Sequence, residues 1–482
     1  MAPVRSGLRV FLGTGSGRAG SLLFLILASV SAYVLLTYPL DFGLKSWSDP
    51  AVWADNPKAA PPGWLSLLSP NDYPPHRVFE YRQPTHTRTV ETGGVIHTYL
   101  AEFHHTSDRF PTLLTITLQD LAYHDGPPRI FISLTRPDGH RLVVAALVPP
   151  GPLPGEEPPI HRYVETPMRL RVGGEDVAAL LSSFFAREYG ASIPPKEILS
   201  RGVEEALFGQ PAGPQGPLFR SLKGAYSVRV EMLAPDPRDR LTSVKIVVGG
   251  SSYGSLGTDS LGRDIGVGLL FGFPVALFLG LVTSTLATAI GSTLGMIGGL
   301  LGGRVDSAIQ RASDIAANVP LLPLLIYLTF ALQPLLPRLW TVVLILVAFG
   351  WPGLAITVRS MLLQIRSGQL IEAAVALGAS KRRIMVKHVF PQIAPFILGQ
   401  MIFFAPSAIL AEAGLSFLGL GDPSIPTWGQ ILESGFRSGA VYLGFWWWVL
   451  PPGLLIILTA MAFVLVALGL EPVINPRLRR IS

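Results

Sequence analysis

The sequence has no cysteine among its 482 residues, so disulfide bonds, thiolate metal sites and cysteine nucleophiles are all excluded. Charged residues are scarce as well, since they form 15% of the chain against 49% for hydrophobic residues. The phosphate-binding motif Gly-x-x-x-x-Gly-Lys-Ser/Thr occurs nowhere, which excludes a nucleotide site of that type. The mean hydropathy of +0.44 is ordinary for a protein that places apolar helices in a bilayer. The composition therefore indicates an integral membrane protein.

Six apolar runs are long enough to be considered as membrane spans. The first, at residues 22–40, could instead belong to a cleaved signal peptide, but about 19 apolar residues exceed the usual 7–15 of such a segment. We therefore expect an uncleaved first helix. The other predicted spans are 273–301, 321–336, 340–358, 394–410 and 446–468.

A long polar segment separates the first span from the second. Residues 45–250 contain 21 Lys/Arg and 22 Asp/Glu, are rich in proline and include no spanning run. Alternating apolar residues predict strands at 95–103, 113–118, 129–134, 141–148, 221–233 and 241–248. Helices are predicted at 175–189, which has acidic residues in its first turn and Gly190 after its end, and at 194–208. The chain thus divides into 1–44, an α+β domain at 45–250 and a membrane core at 251–482.

The distribution of lysine and arginine predicts the orientation of the spans. With the N-terminus inside, the short outer connections contain Arg338 and Arg437, with Arg263 just before the second span. The inner segments collect most of the basic residues that lie outside 45–250, namely Arg5, Arg9, Arg18, Arg304, Arg311, Arg359, Arg366, Lys381, Arg382, Arg383, Lys387, Arg477, Arg479 and Arg480. This is the positive-inside bias. It accounts for the net charge of +6 without nucleic acid, and it predicts cytoplasmic termini with residues 45–250 outside.

The segment at 367–391 is the most informative part of the sequence. It reads as two short helices that are interrupted at Gly378-Ala379-Ser380, because glycine allows the chain to turn and Ser380 can cap the second helix. The predicted site residues are Glu372, Ala373, Ala374, Ala376, Leu377, Gly378, Ala379 and Ser380. Basic residues follow them, and these suit inner-leaflet lipids.

This segment resembles the EAA loop of ABC importer permeases, matching its pattern at Glu372, Ala373, Ala374, Gly378 and Pro391. Three further segments resemble the peptide/nickel (oligopeptide/dipeptide) permeases: 257–264 (GTDSLGRD), 412–421 with 426–429 (PTWG), and 475–478 (NPRL). The resemblance favours the second, C-type permease of the pair. The polar insertion departs from that family, whose first outer loop is usually far shorter.

The resemblance implies a permease fold with about six transmembrane helices and an inserted extracytoplasmic α+β domain. It implies a subunit that binds no cofactor and moves peptides or a related small solute by alternating access. ATP and Mg²⁺ would be bound by two partner ATPase subunits, against which the EAA loop would act as a coupling helix. A second permease, an extracytoplasmic binding protein and membrane lipid are the other implied partners. The cargo, whether peptide, nickel or sugar, and the residues that bind it stay open.

Other motifs are weaker. Gly250-Ser251-Ser252-Tyr253-Gly254 fits the nucleophile pattern GxSxG, but His388 is the only later histidine and lies across the predicted membrane. The remaining histidines show no metal-ligand spacing, so no metal or catalytic site is predicted. Pairs such as Gly291/Gly295 and Gly299/Gly303 predict helix packing.

The competing hypothesis is a membrane-anchored enzyme or sensor that acts through 45–250. This hypothesis requires a catalytic cluster in that segment, and it leaves the EAA pattern unexplained.

Overall fold

The computed structural model of the chain describes residues 2–39, 41–69, 73–90, 94–213, 218–332, 335–422 and 425–474. The chain divides into two compact units: Met1–Asp49 with Ile265–Ser482 form the first, and Pro50–Asp264 the second. The predicted resemblance at 475–478 lies outside the described residues, as do the basic residues Arg477, Arg479 and Arg480.

The described helices, in chain order, are α1 (Ala2–Gly13), α2 (Gly15–Thr37), α3 (Pro50–Trp53), α4 (Leu65–Leu68), α5 (Glu175–Tyr189), α6 (Pro195–Arg201), α7 (Val203–Leu207), α8 (Ile265–Leu301), α9 (Gly303–Asn318), α10 (Leu321–Leu332), α11 (Arg338–Gly350), α12 (Pro352–Arg366), α13 (Gln369–Ala376), α14 (Lys381–Ile384), α15 (Phe390–Phe417), α16 (Trp428–Arg437) and α17 (Trp446–Ile474). Two π-helical turns occur at Gly43–Trp47 and Met385–Val389.

The described strands are β1 (Arg77–Tyr81), β2 (His86–Thr89), β3 (Val95–His105), β4 (Leu114–Tyr123), β5 (Arg129–Thr135), β6 (Arg141–Leu147), β7 (Ile160–Arg162), β8 (Met168–Arg171), β9 (Gly209–Pro211), β10 (Phe219–Ser221), β11 (Gly224–Ala234) and β12 (Arg240–Val248).

The first unit contains the helices that could cross a membrane. Among the described residues, five helical segments are long and apolar enough: Gly15–Thr37, Ile265–Leu301, Arg338–Arg366, Arg382–Phe417 and Trp446–Val473. A sixth candidate is the pair α9 and α10, whose axes meet at 88°. The predicted α-helical membrane fold with about six spans is therefore confirmed.

The third predicted span, 321–336, differs most from the structure. Its described part is α10, which follows α9 after a sharp bend at Val319 and Pro320. Proline disfavours helical geometry in the residue before it, and Val319 is accordingly extended (φ −76°, ψ 124°). Residues 333–334 of the prediction lie outside the described residues. The polar α9 and the apolar α10 together form this candidate, instead of one straight helix.

Glycines on one face of α8 allow it to pack closely against α12. A Cβ on Gly291 would lie 2.7 Å from the carbonyl oxygen of Trp351, and one on Gly295 would lie 2.5 Å from that of Ala355. A Cβ on Gly299 would come within 2.8 Å of Leu362. Because these glycines have no side chain, the backbones of the two helices come into close contact, as the small-residue spacing predicts.

The PTWG segment holds α16 against α8. The indole Nε1 of Trp428 donates a hydrogen bond of 2.8 Å to the carbonyl oxygen of Leu269, and the ring occupies the space that a side chain at Gly272 would need. Thr427 caps α16 by accepting a hydrogen bond from the amide of Gln430. This part of the family-like sequence has a packing role.

The second unit is built from antiparallel sheets. One five-stranded sheet has the order β1-β12-β4-β7, with β8 also pairing with β4, and the other has the order β2-β3-β11-β5-β6. Both contribute to one hydrophobic core together with α5–α7, in which Ile116, Val230 and Phe185 are completely buried. Strand β11 alternates between buried and half-buried residues, as expected for a strand with one face on a core. The predicted α+β class is confirmed.

Two sequence predictions for this unit need correction. The helix expected at 194–208 is interrupted, because Gly202 has φ of +108° and separates α6 from α7. The predicted boundary at Gly250 is also displaced: the amides of Tyr253 and Thr258 donate to the carbonyl oxygens of Pro61 and Ala60. These hydrogen bonds place the GTDSLGRD segment in the second unit, which ends at Asp264.

Candidate functional site: the segment between α12 and α15

A left-handed glycine ends α13. Gly378 has φ of +79°, and the amide of Ala379 donates a 3.0 Å hydrogen bond to the carbonyl oxygen of Ala374, which is the closing bond of a Schellman motif. Within the described part of the chain, no atom lies within 4 Å of the position that a Cβ on Gly378 would occupy. Glycine is therefore required at this position by the backbone conformation, while the space around it is open.

Ser380 begins the second short helix. Its hydroxyl oxygen accepts a 3.4 Å hydrogen bond from the amide of Arg383, and its carbonyl oxygen accepts one of 3.0 Å from the amide of Ile384. The chain continues from α14 through the π-helical turn into α15, where Pro391 occupies the first turn. The predicted pair of short helices with its break at Gly378-Ala379-Ser380 is confirmed. The second of them is continuous with a membrane span instead of forming a separate loop.

One face of this segment packs on the first unit. Ile371 is 4% exposed and belongs to a cluster with Val358, Leu362, Val389 and Ile393 from α12, the π-helical turn and α15. Ile371 was not among the predicted site residues, although its helical spacing from Ala374 indicates a common buried face. Ala374 and Ala379 are partly buried against the same cluster. These two predicted site residues therefore anchor the segment.

The other face is open. Leu377 is 89% exposed and Leu370 is 59% exposed. The remaining predicted site residues on this face are also exposed, namely Glu372, Ala373, Ala376, Gly378 and Ser380. Among the described residues, the carboxylate of Glu372 has no ion pair. The result is a narrow surface of small and apolar residues with one acidic side chain, fixed from behind by Ile371.

Two carboxylates outside the segment have partners within the first unit. The hydroxyl of Ser416 donates a 2.7 Å hydrogen bond to the buried carboxylate of Glu412, and Thr427 donates to Ser416. Asp306 on α9 pairs with Arg359 on α12. These contacts indicate structural roles for Glu412 and Arg359.

The second unit brings His124, Asp236 and Asp239 together, within reach of one metal ion. The carboxylate of Asp239 accepts 2.8 Å and 3.2 Å hydrogen bonds from the backbone and the ring of His124. Asp236 is bound by the guanidinium of Arg238 at 2.6 Å, which holds the pKa of this carboxyl below its usual range. The cluster is thus explained by its own hydrogen bonds, which fix the turn before β12.

Comparison with known proteins identifies relatives of this chain. Residues 291–480 match the binding-protein-dependent transport system inner membrane component family. The dipeptide transport system permease protein of Bacillus subtilis is 35% identical over 225 residues, which cover 46% of this chain and 69% of that protein. The oligopeptide transport system permease protein of the same organism is 35% identical over 226 residues, covering 46% and 72%. A putative peptide transport system permease protein of Brucella suis is 36% identical over 224 residues, covering 46% and 73%.

The residues matched to this family include the segment between α12 and α15, and the described helices supply the multi-pass membrane architecture. The chain therefore belongs to the family of binding-protein-dependent transport system inner membrane components, the permease subunits of ABC importers.

Proposed function

We propose that this permease carries peptides inward and that the surface formed by Glu372, Ala373, Ala376, Leu377, Gly378 and Ser380 docks on an ATP-binding subunit. The peptide cargo follows from the names of the relatives, which are dipeptide and oligopeptide transport permeases. The docking surface follows from the geometry of α13. We refer to these six residues below as the coupling surface.

The observation that carries the proposal is the contrast between Ile371 and Leu377. Ile371 is 4% exposed and joins α13 to the helices of the core, whereas Leu377, on the other face, is 89% exposed. A large apolar side chain that is held outward by a rigid helix costs free energy in water, and it is typical of a surface that meets a partner. Because Ile371 is fixed to α12 and α15, a movement of the partner at Leu377 would be transmitted to both helices.

The complete importer would contain two ATP-binding subunits, which bind ATP and Mg²⁺, and a second permease beside this one. Closure of the ATP-binding subunits around ATP would bring their docking clefts together and draw the coupling surface with them. The four basic residues Lys381, Arg382, Arg383 and Lys387 follow the coupling surface in sequence, which supports a location at the anionic inner leaflet.

We further propose cytoplasmic termini and an extracytoplasmic second unit, on the basis of the positive-inside distribution. Single cysteines at Glu157 and Ser200, both exposed, should then react with an impermeant reagent in intact cells, and one at Ser380 only after permeabilisation. Reaction of the first two only after permeabilisation would reverse the orientation.

The unit Pro50–Asp264 is proposed to dock the extracytoplasmic binding protein. Its near balance of 21 basic and 22 acidic residues at 45–250 argues against strong charge steering, so a weak contact through shape and apolar surface is expected. Replacement of residues 60–240 by a flexible linker should abolish the stimulation of ATPase activity by the binding protein. Full stimulation in an assembled complex would make the unit an accessory.

The coupling proposal is tested by Gly378→Val. Valine at φ of +79° is strained and projects from the coupling surface, so we expect at least a fivefold loss of co-purifying ATP-binding subunit, equivalent to about 1 kcal/mol, and a matching loss of uptake. Normal co-purification together with normal uptake would refute the proposal.

Gly439→Val is the matched control. Gly439 also has a positive φ, of +73°, and no atom of the described residues lies within 4 Å of its Cβ position. The backbone strain is therefore similar, but Gly439 lies between α16 and α17, outside the coupling surface. This variant should retain the ATP-binding subunit at the wild-type level. A similar loss in both variants would assign the effect to misfolding.

A further inference from the structure

The first unit contains a polar cavity of about 260 Å³ between α8, the junction of α11 with α12, and α15. Its lining includes Thr288, Gly353, Thr357, Gln400 and Phe404, and no charged side chain. Thr288 and Gln400 each lie about ten residues or more from the nearer end of their helices, which corresponds to ~15 Å at 1.5 Å per residue. The cavity therefore lies well inside the apolar layer of a bilayer.

Hydrogen-bonding groups in the cavity are left without partners in the described part of the chain. Thr288 is 5% exposed, and its hydroxyl makes no hydrogen bond with another described residue. The amide of Gln400 is exposed and likewise has no partner in the described ranges. The hydroxyl of Thr357 donates a 2.9 Å bond to the carbonyl oxygen of Gly353, so its oxygen can still accept. In lipid such groups would be unsatisfied, which argues for contact with water or solute.

The helix junction at this cavity also exposes backbone. Helix α11 ends at Gly350 and α12 begins at Pro352, which has no N–H and interrupts the helical hydrogen bonds. Among the residues that the structure describes, none has an atom within 4 Å of the Cβ position of Gly353, so the main chain borders open space. Interrupted helices near the bilayer centre are a recurrent feature of solute sites in transporters.

We propose that this cavity is a contact site on the solute path, and that it takes uncharged hydrogen-bonding groups such as the backbone amides of a peptide. The inference rests on the proposed transport function and extends it to particular residues. The donors and acceptors of Thr288, Thr357 and Gln400 match an amide, which offers one N–H and one carbonyl oxygen. Because no charged side chain among the described residues lines the cavity, its contacts would be with the uncharged backbone of a peptide and not with charged side chains.

The first arm of the test measures access to water. The chain has no cysteine, so Thr357→Cys and Gln400→Cys introduce single thiols into the assembled importer in membranes. Both should react with a small sulfonated thiol reagent at least tenfold faster than Leu398→Cys, because a thiolate does not form readily in lipid. Leu398 is on the same helix and is 51% exposed, but it is outside the cavity lining. Rates equal to that of Leu398→Cys would overturn the proposal.

The second arm measures solute contact with trialanine as the probe. Thr357→Val and Gln400→Leu should each raise the KM for trialanine uptake roughly threefold to tenfold, the effect of one lost hydrogen bond, with the ATP-binding subunit still bound. Unchanged KM values in both variants would overturn the proposal. Reagent labelling requires no cargo, so it separates failure of the cavity from failure of peptide transport as the function.

Discussion

The guanidinium of Arg359 on α12 donates two hydrogen bonds to the carboxylate of Asp306 on α9, one of 2.5 Å from Nε to Oδ1 and one of 2.5 Å from Nη2 to Oδ2. The two residues are 53 positions apart in sequence. Helix α9 follows α8 after the left-handed turn at Gly302 and Gly303, and α12 leads into α13. The ion pair therefore joins α9, the helix that follows α8, to α12, the helix that precedes the coupling surface.

Asp306→Asn should weaken this connection. It removes one charge and leaves the partly buried Arg359 unpaired, so we expect a loss of about 1–3 kcal/mol in the free energy of unfolding of the detergent-solubilised chain. The exchange Asp306→Arg with Arg359→Asp should restore part of the loss. A double-mutant cycle on thermal unfolding measures the coupling, and additive effects would show that the pair contributes nothing.

Arg136 is the main polar anchor of the second unit. It is 1% exposed and donates to the carbonyl oxygens of Ala206 (3.1 Å), Leu207 (2.9 Å) and Gly209 (2.7 Å), and it pairs with Asp138. Arg136→Met leaves these buried carbonyl oxygens without their donor and removes the cation beside Asp138, so we expect a loss of about 3–5 kcal/mol in the free energy of unfolding of the fragment Pro50–Asp264.

The control for Arg136 is Arg141→Met. Arg141 starts the next strand and pairs with Glu231, but its side chain is 42% exposed. An exposed pair contributes about 0–1 kcal/mol, so urea unfolding should distinguish the two variants clearly. Equal losses would contradict the anchoring role of Arg136.

His76 predicts a pH dependence. Burial lowers its pKa to about 4, against 6.5 for the exposed group, with the charge of Asp55 opposing and that of Lys245 adding to the effect. The unfolded chain therefore binds more protons between these values, so stability is full above pH 6.5 and decreases as the pH falls towards 4. This contribution is on the order of 2 kcal/mol.

His76→Phe should remove that part of the pH dependence while keeping the edge contact with Tyr253, whose ring centroid is 5.1 Å away. The measurement is urea unfolding of the fragment Pro50–Asp264 at pH 4.5 and pH 7.5, with His86→Phe as an exposed control. If wild type and His76→Phe lose the same stability on acidification, the histidine is not responsible.

Much of the fold could be predicted because local patterns and tertiary structure agree. The strand around Tyr99 alternates in burial, and α5 begins at Glu175 and ends before Gly190 as its sequence signals indicate. The predictions failed where a single glycine or proline interrupts a helix. Gly202 divides the helix predicted at 194–208, and the bend at Pro320 separates α9 from α10. Short strands such as β7 and β8 were missed because their pairing with β4 depends on long-range contacts.

The sequence predicts the turn of the candidate site, but it does not predict which residues of the segment are buried and which are exposed. Gly378 and Ser380 act through neighbouring backbone, so the sequence predicts their roles in the turn. The division between exposed Leu377 and half-buried Ala379 depends on where α12 and α15 lie. The cavity at Gln400 was not predictable for the same reason, since Thr288, Gly353 and Gln400 come from three separate helices and meet only in the folded unit.

Photo-crosslinking from position 377 tests directly whether the coupling surface docks on the ATP-binding subunit. A benzophenone amino acid in place of Leu377 should cross-link the assembled importer to the ATP-binding subunit, and more strongly when ATP closes that subunit. The same amino acid in place of Tyr442, which is 94% exposed but lies between α16 and α17, should give no such product. Cross-linking to the ATP-binding subunit from 442 but not from 377 would contradict the docking of the coupling surface on that subunit.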